Sequence, residues 1–390
     1  MLARLMPKSW SRAATIALAV AASTTFDALA QTPVPSFHCA ADRRCPEILI
    51  KGDPHARLGG APSPFRGYGD PSIEYDPNTR TLWLAYSWLN VLLTPKAGRP
   101  HVDFGVGTHL AKSVDGGSSF TYVKSINRPT RRRGGWVQHE VPSLVRERPG
   151  RWRFVWLDYF DPLGGGPRGR SGYLLATQTA SQPNQLGGSA RFWIRGLAKP
   201  FAAARYDLGR LAPGRRCAVL TEPALFTHRG RNYLAAHCIV TAGRRRLPNR
   251  DAILLYRHDG SGFKYLGVLL DRRDALALGA DVLTQPDLAV ARNGDIILIA
   301  TPKRLRADPK HRGCVVYTVA DLARARMRRR PDGTAELRTR ITAVGNGLGP
   351  GLCTYHAASE TGVLLVTTRF RRIGGRHDIL FSLRRTGVHP

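Results

Sequence analysis

A proline-led segment recurs along this chain, and that recurrence constrains the fold more than any other feature. Each copy reads as a turn, a short strand opening near Pro, a second turn and an apolar strand. The copies are Asp70-Pro71-Ser72-Ile73 leading to Thr81–Ser87, Val141-Pro142-Ser143-Leu144 leading to Trp152–Tyr159, Glu222-Pro223-Ala224-Leu225 leading to Asn232–Val240, and Gln285-Pro286-Asp287-Leu288 leading to Asp295–Thr301. A fifth, Cys353–Ser359 leading to Val363–Phe370, lacks the proline and aligns on its glycine, Gly362 with Gly294. The successive spacings are 71, 81, 63 and 68 residues.

Each copy is followed by a third strand candidate: Val106–Ser113, Tyr173–Thr179, Ala252–Arg257, Cys314–Thr318 and Asp378–Leu383. Fourth strands are offered by Phe120–Lys124, Arg191–Arg195, Phe263–Leu269 and Ala335–Ile341. The fifth copy ends too soon to supply its own. The N-terminal run Glu47–Lys51 (EILIK) is left over, and an N-terminal strand that completes the last blade is how a propeller removes an open edge. The pattern therefore predicts an all-β chain folded as a five-bladed β-propeller. Its blades fall near residues 65–125, 136–197, 217–270, 281–341 and 350–388, the last completed by 46–52. Pro has no N–H, so each proline is expected at the first residue of an innermost strand. The alternative architecture is a pair of β-sandwiches. Short helices are expected only at Arg272–Leu278 and Leu322–Arg330.

Composition agrees with one large β domain. The chain has 390 residues, 43% of them apolar, with 40 Gly and 27 Pro, which favours turns over a helical bundle. Residues 1–30 read as a signal peptide, leaving 31–390 as the propeller. Arg4, Lys8 and Arg12 precede an apolar run over Ala13–Ala22, and Ala28-Leu29-Ala30 is a small-residue cleavage signal. No later run is long enough to cross a membrane. Six cysteines follow, an even number that in an exported chain predicts three disulfides. The nearest-neighbour pairing is Cys39–Cys45, Cys217–Cys238 and Cys314–Cys353, one of 15 allowed. The chain is therefore expected outside the cytoplasm, secreted or periplasmic, as a monomer.

The chemistry is expected where the innermost strands begin, because first strands surround the central channel. Those positions are polar although central: Asp70, His139 and Glu140, Glu222, Gln285 and Asp287, then Tyr355 and His356. Glycoside hydrolysis needs two carboxylates flanking the scissile bond, one protonated and one ionised. Crowded carboxylates push one pKa up and so separate the roles. Asp70, Glu140 and Glu222 are the candidate catalytic residues. Arg66, Tyr68, His139, Asp287, Tyr355 and His356 are the candidate substrate contacts. His139, His237 and His356 have no ligand spacing, so no metal or other cofactor is expected, although a structural ion could sit in the channel. Ser113-Val114-Asp115-Gly116-Gly117-Ser118-Ser119-Phe120 fits the Asp-box turn S-x-D-x-G-x-[ST]-[FW], with a weaker echo over His258–Phe263. Such a turn stabilises a hairpin and carries no chemistry.

The proline-led segments resemble those of the five-bladed propeller glycosidases, such as glycoside hydrolase family forty-three. The Asp box resembles the sialidase superfamily with its BNR repeats. The family forty-three resemblance implies Asp70 as the base or nucleophile, Glu222 as the acid and Glu140 as a pKa modulator or sugar anchor. The sialidase resemblance needs an arginine triad, of which Phe65-Arg66-Gly67-Tyr68 offers one member with altered spacing. Lys and Arg number 59 against 28 Asp and Glu, a formal +31, so polyanions should be attracted. Only Arg369-Phe370-Arg371-Arg372 combines a basic run with an aromatic, too little to indicate specific nucleic-acid binding. The expected partner is a carbohydrate or acidic polysaccharide. The expected activity is glycan hydrolysis, against the alternatives of a non-catalytic glycan- or polyanion-binding propeller and a sialidase-like enzyme.

Overall fold

The computed structural model describes residues 34–39, 45–53, 57–58, 61–62, 67–96, 99–162, 171–197, 203–243, 245–259, 261–305, 310–344, 349–373 and 376–390. The leader 1–30 and Arg66 lie outside them. Five antiparallel sheets stand side by side around a channel. Blade one comprises Tyr68–Asp76, Thr81–Lys96, Arg99–Ser113 and Phe120–Asn127. Blade two comprises Gly135–Arg148, Arg151–Pro162, Ser171–Ala180 and Arg191–Arg195. Blade three comprises Val219–His228, Arg231–Ile239, Ala252–His258 and Phe263–Asp271. Blade four comprises Val282–Val290, Ile296–Lys303, Cys314–Asp321 and Leu337–Ala343. Blade five has only three strands of its own, Gly351–Thr354, Leu364–Ile373 and Arg376–Arg385.

The N-terminal segment fills that gap and does more. Glu47 bridges antiparallel to Arg384, and the Ile48 N–H donates to the Leu383 carbonyl at 2.8 Å, which completes blade five. Before reaching it, Ser36–Cys39 pairs parallel with the outer strand of blade four. After leaving it, Ile50–Lys51 pairs parallel with the outer strand of blade one. One strand-poor segment thus ties three outer edges together.

The strands alternate between two buried faces, as a propeller requires. In Thr81–Lys96, Leu82, Leu84, Tyr86 and Trp88 pack towards blade five, while Trp83 and Ala85 pack towards blade two. Repeating this alternation around the ring produces five separate hydrophobic cores, one between each pair of neighbouring blades. The three disulfides form in the nearest-neighbour pairing, Cys39–Cys45, Cys217–Cys238 and Cys314–Cys353. The last joins blade four to the inner strand of blade five.

Two local expectations change. The Leu322–Arg330 helix is one 3-10 turn, Leu322–Arg324, after which the chain pairs again at Arg326–Met327. Arg272–Leu276 is helical, capped reciprocally by Asp271 and Asp274. The prolines do not open their strands. Each lies inside an innermost strand at a β-bulge, where the register slips between Gly69 and Ser72, Glu140 and Ser143, Thr221 and Ala224, or Thr284 and Asp287. Blade five slips likewise between Gly351 and Thr354. A bulge leaves one residue unpaired, so the missing proline N–H costs no ladder bond there.

Candidate active site

The bulge decides which side chains reach the channel. In every blade one non-glycine residue of the bulge has a positive φ: Asp70 at 44°, Val141 at 52°, Glu222 at 54°, Gln285 at 50° and Leu352 at 54°. Such left-handed backbone is strained for residues bearing a Cβ, on the order of 1–3 kcal/mol each. In four blades the following proline further restricts the residue before it. The result is a ring of five re-aimed residues at one mouth of the channel. Because the first strand runs away from this mouth and the second returns, the connections between second and third strands rise around it. They bring Arg246 and His311 to the rim, beside Lys303 at the end of its strand.

The mouth holds a cavity of about 360 Å³ lined by Asp70, Glu140, Glu222, His237, Gln285 and Lys303, among others. Below it the channel narrows to about 30 Å³ between the prolines, roughly one water's share of volume.

Gln285 connects two of them. Its backbone N–H donates to Glu222 Oε2 at 2.7 Å, and its side-chain Nε2 donates to Asp70 Oδ1 at 3.4 Å. Glu222 also meets His237 Nδ1 at 3.1 Å. His237 occupies the second-strand position that holds Ser87 in blade one and Thr301 in blade four. Those two hydroxyls accept the bulge N–H of the next blade, from Val141 at 2.9 Å and Leu352 at 3.0 Å. In blade three the histidine displaces that arrangement, and Glu222 takes over as acceptor for Gln285. Behind His237, Asp251 binds the Arg246 guanidinium at 2.5 Å and receives the Val240 N–H. Glu140 accepts from the Tyr159 hydroxyl at 3.1 Å.

The surroundings split the two carboxylates electrostatically. Burial, then the charges of Glu140 and Glu222, push Asp70 up to about 7 against the pull of Ser87 and the Val141 N–H. For Glu222 burial also acts upwards, but His237, the Gln285 N–H and Lys303 together outweigh it and bring it down to about 2. Glu222 still keeps 19% of its side chain exposed, enough for a ligand to touch. The two carboxyls are therefore pushed in opposite directions. Asp70 is the group poised to hold a proton near neutrality, and Glu222 is the one held ionised.

The remaining sequence-derived candidates go elsewhere. Tyr68 is buried in the core between blades five and one, against Tyr86 and Trp88. His139 turns away from Glu140, as adjacent strand residues do. It binds Asp158 at 2.5 Å, beside the Trp156 indole N–H. Asp287 lines the throat, accepts the Tyr355 N–H at 3.2 Å, and is pushed up to about 7 by burial. Tyr355 is buried in the core between blades four and five. His356 lies at the opposite end of the channel, 3.4 Å from Glu74. Among the described residues no three His, Cys, Asp or Glu side chains form a metal-binding group. Asp115 accepts from Ser113, Ser119 Oγ and the Ser119 N–H within its own turn, far from the mouth.

Several residues of the mouth were not singled out by sequence as site members, among them Gln285, His237, Arg246, Lys303 and His311. The histidine's replacement of a small hydroxyl in the repeat was a legible signal. Lys303 ends the second strand of blade four, and His311 comes from the connection after it, which has no repeat to read.

No family model and no curated protein matches the chain. Similar solved structures include the Bombyx mori GH32 β-fructofuranosidase, 13% identical with a TM-score of 0.43 over 81% of this chain and 63% of that one. An exo-1,5-α-L-arabinanase from a bovine ruminal metagenomic library is 12% identical with a TM-score of 0.43, covering 81% of this chain and 92% of that one. The GH43_1 enzyme of Xanthomonas citri, complexed with xylotriose, is 11% identical with a TM-score of 0.45, covering 82% and 87%. The chain thus spans less than two thirds of the Bombyx mori enzyme.

Proposed function

We propose that this chain is an exported, monomeric glycoside hydrolase whose reaction takes place at the carboxylate mouth. One observation carries the reading. Two carboxylates linked through a single glutamine have opposite proton affinities, at a mouth that holds a cavity of about 360 Å³. Asp70 gives its proton to the glycosidic oxygen as the bond to the leaving group breaks. Glu222 supplies the ionised carboxylate required on the opposite face of the bond. Glu140 keeps Asp70 protonated by like charge. The Thr284 hydroxyl, Gln285 Oε1 and His311 Nδ1 are buried at the mouth with no protein partner among the described residues. Such groups suit a ligand rich in hydroxyls. Three disulfides and the apolar leader support export.

A sialidase-like reaction is less well supported. Arg246 is the one arginine lining the mouth among the described residues, and Asp251 already holds it. The test is release of reducing ends from a panel of neutral and uronate-containing polysaccharides, comparing the wild type with Glu222→Gln at matched thermal stability. Activity lost in the variant is expected. Equal activity in both would remove Glu222 from the reaction.

A further inference from the structure

A second cavity, of about 350 Å³, lies at the rim between blades two and three, away from the channel mouth. Its lining includes Arg151, Arg153, Arg191 and Arg205. Glu147 is the carboxylate that meets this group, and it is shared. It binds Arg151 at 2.7 Å and also holds Arg153 Nε. Arg191 and Arg205 have no carboxylate partner among the described residues. Four guanidiniums against one carboxylate leave the groove strongly cationic.

The arginines are braced rather than free. Arg153 lies over the Trp193 ring at 4.8 Å and donates to Thr177 Oγ1 at 3.3 Å. Arg205 lies over the Tyr206 ring at 5.1 Å. Stacking fixes the planar forks, which lowers the ordering cost of binding a carboxylate or sulfate. We infer that this groove is a binding site for an acidic polysaccharide, one bearing uronate carboxylates or sulfates along its length. A single-stranded nucleic acid fits less well. It needs several open aromatic faces for its bases, and here Arg153 lies over Trp193 and Arg205 over Tyr206, which leaves Phe192 as the exposed aromatic among the described lining residues. The inference does not depend on the proposed hydrolysis.

The test is titration of the full chain with polygalacturonate by calorimetry, at low and raised salt. The comparison set is an Arg191→Ser/Arg205→Ser double variant, an Arg131→Ser/Arg132→Ser/Arg133→Ser control and Glu222→Gln. The double variant should bind at least tenfold more weakly, with a shallower salt dependence, at unchanged thermal stability. The triple control removes more charge from an exposed run and should bind within about twofold of wild type. Glu222→Gln should bind like wild type, so the groove stands or falls separately from the mouth. Equal weakening in the triple control would show diffuse attraction and overturn the site. So would full binding by the double variant, no binding by the wild type, or oligodeoxythymidine binding as tightly as polygalacturonate.

Discussion

The same five inner strands contribute two rings of side chains to the channel. At the bulge stand Asp70, Val141, Glu222, Gln285 and Leu352, with a left-handed backbone in every blade. Two residues further along stand Ser72, Ser143, Ala224, Asp287 and Thr354. This second ring works as a belt. Ser72 accepts the Leu144 N–H at 3.0 Å, Ser143 accepts Leu225 at 2.8 Å, Asp287 accepts Tyr355 at 3.2 Å and Thr354 accepts Ile73 at 3.2 Å. Each bond runs from one blade to the next, and the last closes blade five onto blade one. Ala224 has no side-chain acceptor to offer. The belt nearly repeats one chemistry, whereas the bulge ring mixes two acids, an amide and two aliphatic groups. Blades must dock alike at the belt. At the bulge the fold fixes only the direction of the side chain, so its chemistry is open to function.

Substitutions that respect shape should separate the rings. The largest effect is expected from Glu222→Gln, which keeps an acceptor for the Gln285 N–H but removes the charge. Hydrolysis should fall at least about a thousandfold, with thermal stability changed little. Measured turnover within tenfold of wild type would place the bulge ring among structural features.

Asp70→Asn should follow, with a loss of about a hundredfold or more for substrates with poor leaving groups and less for activated aryl glycosides. Wild-type kcat/KM should fall as pH rises through about 7, because Asp70 must carry its proton. On the acid side activity should persist far below the usual carboxylate range, since Glu222 stays ionised to about 2. A pH profile with an acidic limb near 4 and no loss above 7 would reverse the two roles.

Gln285→Ala sharpens the comparison further. Its amide donates to Asp70 and so favours the ionised form. Removing it should raise the Asp70 pKa, moving the alkaline limb of the pH profile upward, with roughly tenfold lower turnover. A scaled-down profile at unchanged pH would mean that the amide only orients substrate.

Much of this was legible in the sequence. Four prolines located four blades, and the leftover Glu47–Lys51 strand located the closure. Even cysteine usage gave the disulfides by proximity. Asp70 and Glu222 stood out as acids directly before Pro, which is the bulge position. The bulge itself was not legible, since proline tolerates a strand start and an unpaired bulge equally. Tyr355 and His356 were misplaced because blade five lacks the proline marker. Its turn between the first two strands spans residues 355–363, against 291–295 in blade four, so a glycine alignment slid the register. Tyr68 and His139 show a further limit. Adjacent strand residues face opposite sides, and a sequence window around a site collects both.

Asp287 sets the smallest and most discriminating prediction, since it shares the value of Asp70 in a different ring. Both rise to about 7, chiefly through burial. In the mouth that shift serves the proposed reaction, whereas in the throat it is a liability of the belt. A carboxyl whose pKa is raised on folding binds more protons in the native state. Its contribution is fully present below the unfolded value of about 4 and is lost as pH rises towards 7. Asp287→Asn keeps a carbonyl to accept the Tyr355 N–H without an ionisable group. The variant should therefore be more stable than wild type at pH 8, by up to about 4 kcal/mol, and equal to it near pH 4. Its hydrolytic activity should stay within about twofold. Thermal unfolding across that pH range reads the first effect and reducing-end release the second. If Asp287→Asn instead lost activity while stability stayed flat with pH, the throat would belong to the reaction and the division between the two rings would fail.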